Sequence, residues 1–170
     1  MDPGLQRLQE AIAAAIRGLS QEQMAWHLPG KWSTAEVLEH LFLSYSGTVK
    51  GCERCLQAGK PLADSPTLPQ RLRVAVVVSG GYMPRGQKAP ERTRPKGTSP
   101  EVVVAEIGAK IAAMDELIAQ CEARHGKRTP LMNHPVLGPM TGPQWRGFHC
   151  VHGRHHLKQI LRMRGRMPAL

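Results

Sequence analysis

Aromatic side chains are scarce in this sequence: two Phe, two Tyr and three Trp among 170 residues. Few rings are therefore present on which nucleic-acid bases could stack, and no helix-turn-helix or zinc-finger spacing makes up for them. No apolar run approaches the roughly 20 residues that span a bilayer as a helix. The first residues, MDPGLQRLQEAIAAAIRGLS, lack the basic head and continuous apolar run of a signal peptide. These absences lead to the expectation of a cytoplasmic protein with no specific nucleic-acid partner and no membrane partner. Cysteine is sparse as well. Cys52, Cys55, Cys121 and Cys150 are too few and too irregular for a disulfide framework. The one CxxC has no second pair to complete a zinc site. It falls late in a helical segment, where both thiols suit the apolar face as small hydrophobes.

What is present points to one helical domain over residues 1–170, long enough to bury a sizeable core. Apolar residues make up 41% of the chain, and its formal net charge is +10. Residues 71–96 carry seven Lys/Arg against one acid, and residues 146–166 carry six against none, so the remainder is slightly acidic. Localised positive charge of this kind serves an anionic partner or simply a solvated surface.

Four helices are marked by their start signals. The first is expected over about residues 4–18, with Leu5, Leu8, Ile12, Ile16 and Leu19 at helical spacing. The second starts after Ser33, where STAE has capping-box spacing, and runs to about Leu56. The third starts after Ser99 with Pro100 at its first position, and its stripe runs from Val103 to Cys121. The fourth starts at Thr141, which has capping-box spacing to Gln144, and ends near Gly165. The segment LPQRLRVAVVVSGG reads equally as a short helix or a buried strand. The Gly/Pro/Lys/Arg-rich stretch after it is expected to be a long basic loop, and HGKRTPLMNHPVLGP a second loop.

The fourth helix carries the chemistry. Its segment FHCVHGRHHLKQI holds four histidines in eight positions. At about 100° per residue, His149, His152 and His156 fall within about 60° of one another, together with Trp145, Ile160 and Met163. Arg154, Lys158 and Arg162 lie opposite, so the histidine face is expected to turn inward. His155 falls outside the cluster. Burying several imidazoles together is unfavourable unless each is hydrogen-bonded or bound, and a metal ion resolves the conflict. His152 and His156, one turn apart, need a third ligand from another helix. His40, on the flank of the second helix's apolar arc, is the best candidate. The alternatives are a polar patch hydrogen-bonded to water on the last helix and a surface position for His40.

KWSTAEVLEHL, followed by HPVLGPMTGPQWRGFHCVHGRHHLKQI and with GQKAPERTRP between them, resembles the DinB/YfiT-like superfamily, in particular its uncharacterised branch with a KAP loop. The resemblance covers most of the chain. It implies an all-α four-helix bundle with a long basic loop between the second and third helices. It also implies a divalent metal on His40, His152 and His156, with Gln159 following the last ligand. His149 is not a ligand in the family pattern and is expected beside the ion in the cavity, with Gln159 and Trp145. Zinc is the first expectation for the metal, with nickel or manganese as alternatives. The implied reaction is transfer of a low-molecular-weight thiol to an electrophilic small molecule. Arg85, Lys88 and Arg92 of the basic loop are candidates to hold the acidic groups of that thiol. A metal-dependent hydrolase and a metal- or ligand-binding protein without turnover are the competing readings. A homodimer is left open.

Overall fold

The computed structural model describes residues 1–84, 86 and 88–167. The chain is mostly helical. Helix α1 spans Pro3–Ile16, α2 Gln21–Ala25, α3 Thr34–Ala58, α4 Leu68–Val74, α5 Pro100–His125 and α6 Gly142–Arg164. A π-helical turn, Ala75–Ser79, continues α4, and a 3₁₀ turn covers Glu91–Thr93. Strands β1 (Pro130–His134) and β2 (Gly138–Thr141) pair antiparallel. Among the described residues no helix is long and apolar enough to cross a membrane.

The helix starts follow their capping chemistry. Ser33 accepts a hydrogen bond from the Glu36 N–H while the Glu36 carboxylate accepts from the Ser33 N–H, and Thr141 and Gln144 repeat the exchange for α6. Ser99 precedes Pro100 as expected, but its hydroxyl bonds the Glu101 carboxylate and caps no backbone N–H. Helix α3 runs to Ala58 and stops at Gly59, whose left-handed φ of 67° closes its last turn. Two residues fewer than expected at its end leave α1 finishing at Ile16, and Ser20 and Gln23 cap the short α2 after it.

Apolar faces of α1, α3, α5 and α6 share one core. Leu5, Leu8 and Ile12 come from α1, Leu38, Leu41 and Tyr45 from α3, Ile107, Ile111, Met114 and Ile118 from α5, and Trp145, Val151 and Ile160 from α6. Helix α3 packs on α5 and α6, and α1 on α6. Gly153 makes the α1–α6 approach close: a Cβ there would sit 2.4 Å from Leu8 Cδ2. Cys52, Cys55 and Cys121 are fully buried free thiols between α3 and α5, as packing residues should be.

Two expectations need correction. HGKRTPLMNHPVLGP is not all loop: it contains both strands, and an all-α description leaves this small sheet out. Leu131, Leu137 and Met140 anchor it in the core, while the ladder bonds satisfy backbone groups that burial removes from water. LPQRLRVAVVVS takes the helical alternative, burying Val74 and Val77 and leaving Leu68, Leu72 and Val76 exposed.

Candidate metal centre

Helix α6 presents His149, His152 and His156 on its buried face, and α3 brings His40 to meet the last two. His40 is 4% exposed, so it is a core residue and not a surface one. Its Nε2 lies 3.0 Å from His152 Nε2, and His156 Nε2 lies 3.0 Å from the same atom. His152 is thus the centre of the group. Two imidazoles on one ion, with metal–nitrogen bonds of about 2.0–2.1 Å, stand about 3.0–3.4 Å apart, so this spacing fits a shared cation.

Hydrogen bonds on the far side of the rings decide where the lone pairs point. His40 Nδ1 is 2.7 Å from the Thr93 carbonyl oxygen. A carbonyl only accepts, so Nδ1 holds the proton and Nε2 of the neutral ring holds a lone pair. His156 Nδ1 donates to Gln159 Oε1 at 2.9 Å, while Gln159 Nε2 donates to His155 Nε2 at 3.1 Å. With the amide oxygen facing His156, Nδ1 of that ring is the donor and its Nε2 lone pair is left free. Both lone pairs are aimed at His152 Nε2. A proton on that atom could serve one of them and not the other. An acceptor left without a donor in a buried site costs about 1–3 kcal/mol. A divalent cation accepts all three lone pairs at once, which is the physical reason the residues fit a metal.

Burial holds these imidazoles neutral. It pushes His156 down to about 3, with the neighbouring His40 adding to the effect, and lowers His40 against the opposing bond to Thr93. His152 too is pushed well below the ordinary range, by burial first and then by the surrounding histidines. Neutral imidazole is the form that binds a metal. Phe148 stacks on His152 at 5.2 Å and 11°, and Trp32 lies 5.2 Å from His40. The triad therefore has apolar walls.

The remaining sequence candidates are placed as follows. His149 is 1% exposed and its Nε2 meets Thr48 Oγ1 of α3 at 2.9 Å, so it lies in the core beside the triad and outside its Nε2 cluster. Trp145 stacks on His149 at 5.9 Å and touches no triad ring. Gln159 orients His156 as described. His155, on the edge of the face, contacts Gln159 and the His156 ring. Lys88 is exposed, Arg92 is exposed on the 3₁₀ turn, and Arg85 lies outside the described residues.

Two contributors carry no mark in the sequence. Thr93 acts through its main-chain oxygen, which any residue supplies. Glu39 is 2% exposed and accepts from the N–H groups of Lys96, Gly97 and Thr98 and from the Thr98 hydroxyl, tying the segment after the 3₁₀ turn to α3. The Glu39–His40 pair thus holds both sides of one contact: the carboxylate fixes the segment, and the segment's carbonyl fixes the imidazole.

A family model described as "Protein of unknown function (DUF1569)" matches residues 3–163. No curated protein and no solved structure matches the chain.

Proposed function

The chain belongs to the family described as Protein of unknown function (DUF1569), and from the site it carries we propose that it binds a divalent metal through His40, His152 and His156 and uses it to activate a thiol for attack on an electrophilic small molecule. The observation that supports the metal is the convergence of the His40 and His156 Nε2 atoms on His152 Nε2, with the His40 lone pair fixed by the Thr93 carbonyl. The thiol reaction rests on the resemblance to the DinB/YfiT-like superfamily, as does the reading of α1, α3, α5 and α6 as its four-helix bundle.

A divalent ion held by three neutral ligands supplies Lewis acidity and an uncompensated charge, which favours a thiolate over a thiol at neutral pH. Everything else is the work of the chain. Thr93 and Gln159 hold two imidazoles in the binding tautomer, as ligating histidines require. Phe148 and Trp32 keep water from the ring faces and offer apolar surface to an electrophile. Zinc suits the ligand set first, with nickel or manganese next.

The test is to load the protein with zinc, nickel or manganese and incubate it with glutathione, bacillithiol or mycothiol and a halogenated acceptor. Thiol consumption should exceed that of an equal amount of His152→Ala. Equal rates for every thiol, with ester cleavage only by the unmodified protein, would replace this reading with a metal-dependent hydrolase. Equal rates in both assays would leave a metal-binding protein without turnover.

A further inference from the structure

Leu68, Leu72 and Val76 follow one another at four-residue steps along α4 and its π-helical continuation, and they are 70%, 59% and 52% exposed. The opposite face holds Val74 and Val77, both buried. At about 100° per residue, Arg71 falls about 60° to one side of Leu68 and Arg73 about 100° to the far side of Leu72. The apolar row thus has an exposed arginine on each flank. Two contacts widen the row into a patch. The Tyr82 N–H donates to the Val76 carbonyl at 3.4 Å, and Arg73 Nη1 donates to the Val136 carbonyl at 3.2 Å. Tyr82 and Val136 are themselves exposed. One exposed leucine is ordinary, but five large apolar side chains on adjoining segments mark a contact surface. Residues 65–90 carry four Lys/Arg and no Asp or Glu. The acids at either end of that stretch are engaged: Asp64 accepts from Asn133, and Glu91 pairs with Arg94.

We propose that α4 and its π-helical continuation dock the protein on an anionic lipid surface, with Leu68, Leu72 and Val76 entering the acyl boundary and Arg71 and Arg73 meeting lipid phosphates. Charge selects this partner. A second copy would lay Arg71 and Arg73 against their own equivalents with no acid in the stretch to meet them, which opposes a self-complementary contact. An anionic bilayer answers both flanks at once. It needs no matching groove, because acyl chains accept apolar side chains of any shape, and the aliphatic stems of the arginines lie along it while their heads reach the phosphates. A tyrosine beside the row suits the headgroup level, where its ring and hydroxyl are both satisfied. The formal net charge of +10 draws the whole protein towards such a surface. The expectation of no membrane partner came from the lack of a spanning run, and a helix that lies in the interface plane needs none. The proposed metal ligands play no part in this surface.

Co-sedimentation with vesicles tests the surface. The full chain is mixed, at near-physiological salt, with vesicles of phosphatidylcholine alone or of equal parts phosphatidylcholine and phosphatidylglycerol. Binding should be about tenfold tighter on the anionic vesicles. Leu72→Ser should weaken it about tenfold, since a side chain that enters the acyl boundary is lost. Arg71→Gln combined with Arg73→Gln should bring the anionic vesicles near the neutral ones. Arg154→Gln combined with Lys158→Gln removes the same charge from the exposed face of α6 and should leave most of the binding intact. Leu72→Trp reads insertion: brominated phospholipid should quench its fluorescence beyond any quenching of the unmodified protein. An equal loss from the α6 pair would reduce the effect to net charge and overturn the assignment to α4, as would a Leu72→Trp protein that brominated lipid leaves unquenched. Equal binding to both vesicles would overturn the role of the arginines. Vesicles left unbound by a protein that sediments as a dimer, dissociated by Leu72→Ser, would overturn membrane docking in favour of a second copy. Vesicles left unbound by a monomer would overturn it in favour of an acidic protein partner.

Discussion

Gln159 illustrates how much a single side chain decides at this site. Its carbonyl fixes the His156 tautomer, and its amide nitrogen is itself held by His155. Gln159→Leu removes the acceptor while keeping the volume. Metal affinity should fall by about 10- to 100-fold, the usual cost of losing an outer hydrogen bond to a ligand, as read by competition with a coloured chelator. His149→Ala should behave differently. The protein should lose stability, because a fully buried ring is deleted, yet keep its metal content. Metal loss equal to that of His152→Ala would make His149 a ligand. Helical angles alone put His149, His152 and His156 on one face of α6. They could not show that His149 would meet Thr48 while its neighbours met His40, because that partition depends on which α3 side chains lie opposite.

At the level of elements, the Glu39 carboxylate decides where the segment after the 3₁₀ turn lies. Burial acts to raise its pKa, but the bonds from the Thr98 side chain and from the backbone of Lys96, Thr98 and Gly97 outweigh burial and lower it below its ordinary 4.5. A carboxyl depressed in the folded state contributes fully above its unfolded pKa and loses that contribution as pH falls through the folded value. Denaturant titrations should show stability declining below about pH 4.5, and the decline should be shallower in Glu39→Gln. Glu39→Ala, which removes the acceptor of three part-buried N–H groups on the exposed segment 96–98, should cost about 1–3 kcal/mol at neutral pH and weaken metal binding through Thr93 and His40. Gly153→Ala tests the α1–α6 contact instead. The added methyl meets Leu8, and overpacking of this kind should cost about 1–3 kcal/mol in the same titration. Capping boxes made the starts of α3 and α6 legible, since Ser33–Glu36 and Thr141–Gln144 are local pairs. The β1–β2 hairpin was not legible. PLMNH and GPMT are short and carry prolines, and their pairing is fixed by Leu131, Leu137 and Met140 docking in a core that only the folded chain assembles.

Across the whole molecule, the site joins the two ends of the fold: His40 lies 112 residues before His152. That separation is why composition and periodicity could raise the triad only as a candidate, whereas the packing of α3 on α6 brings its atoms to 3.0 Å. An ion bound at this point would bridge two long helices and so add to the stability of the fold. The central claim is that His40, His152 and His156 hold a divalent ion, and elemental analysis of protein purified without added metal tests it most directly, alongside His152→Ala prepared in the same way. The account predicts about one equivalent of zinc, nickel or manganese per chain in the unmodified protein and almost none in a folded His152→Ala, as three-ligand sites do not survive loss of their central ligand. An unmodified protein that neither contains nor takes up divalent metal, or a His152→Ala with equal metal content, would contradict it.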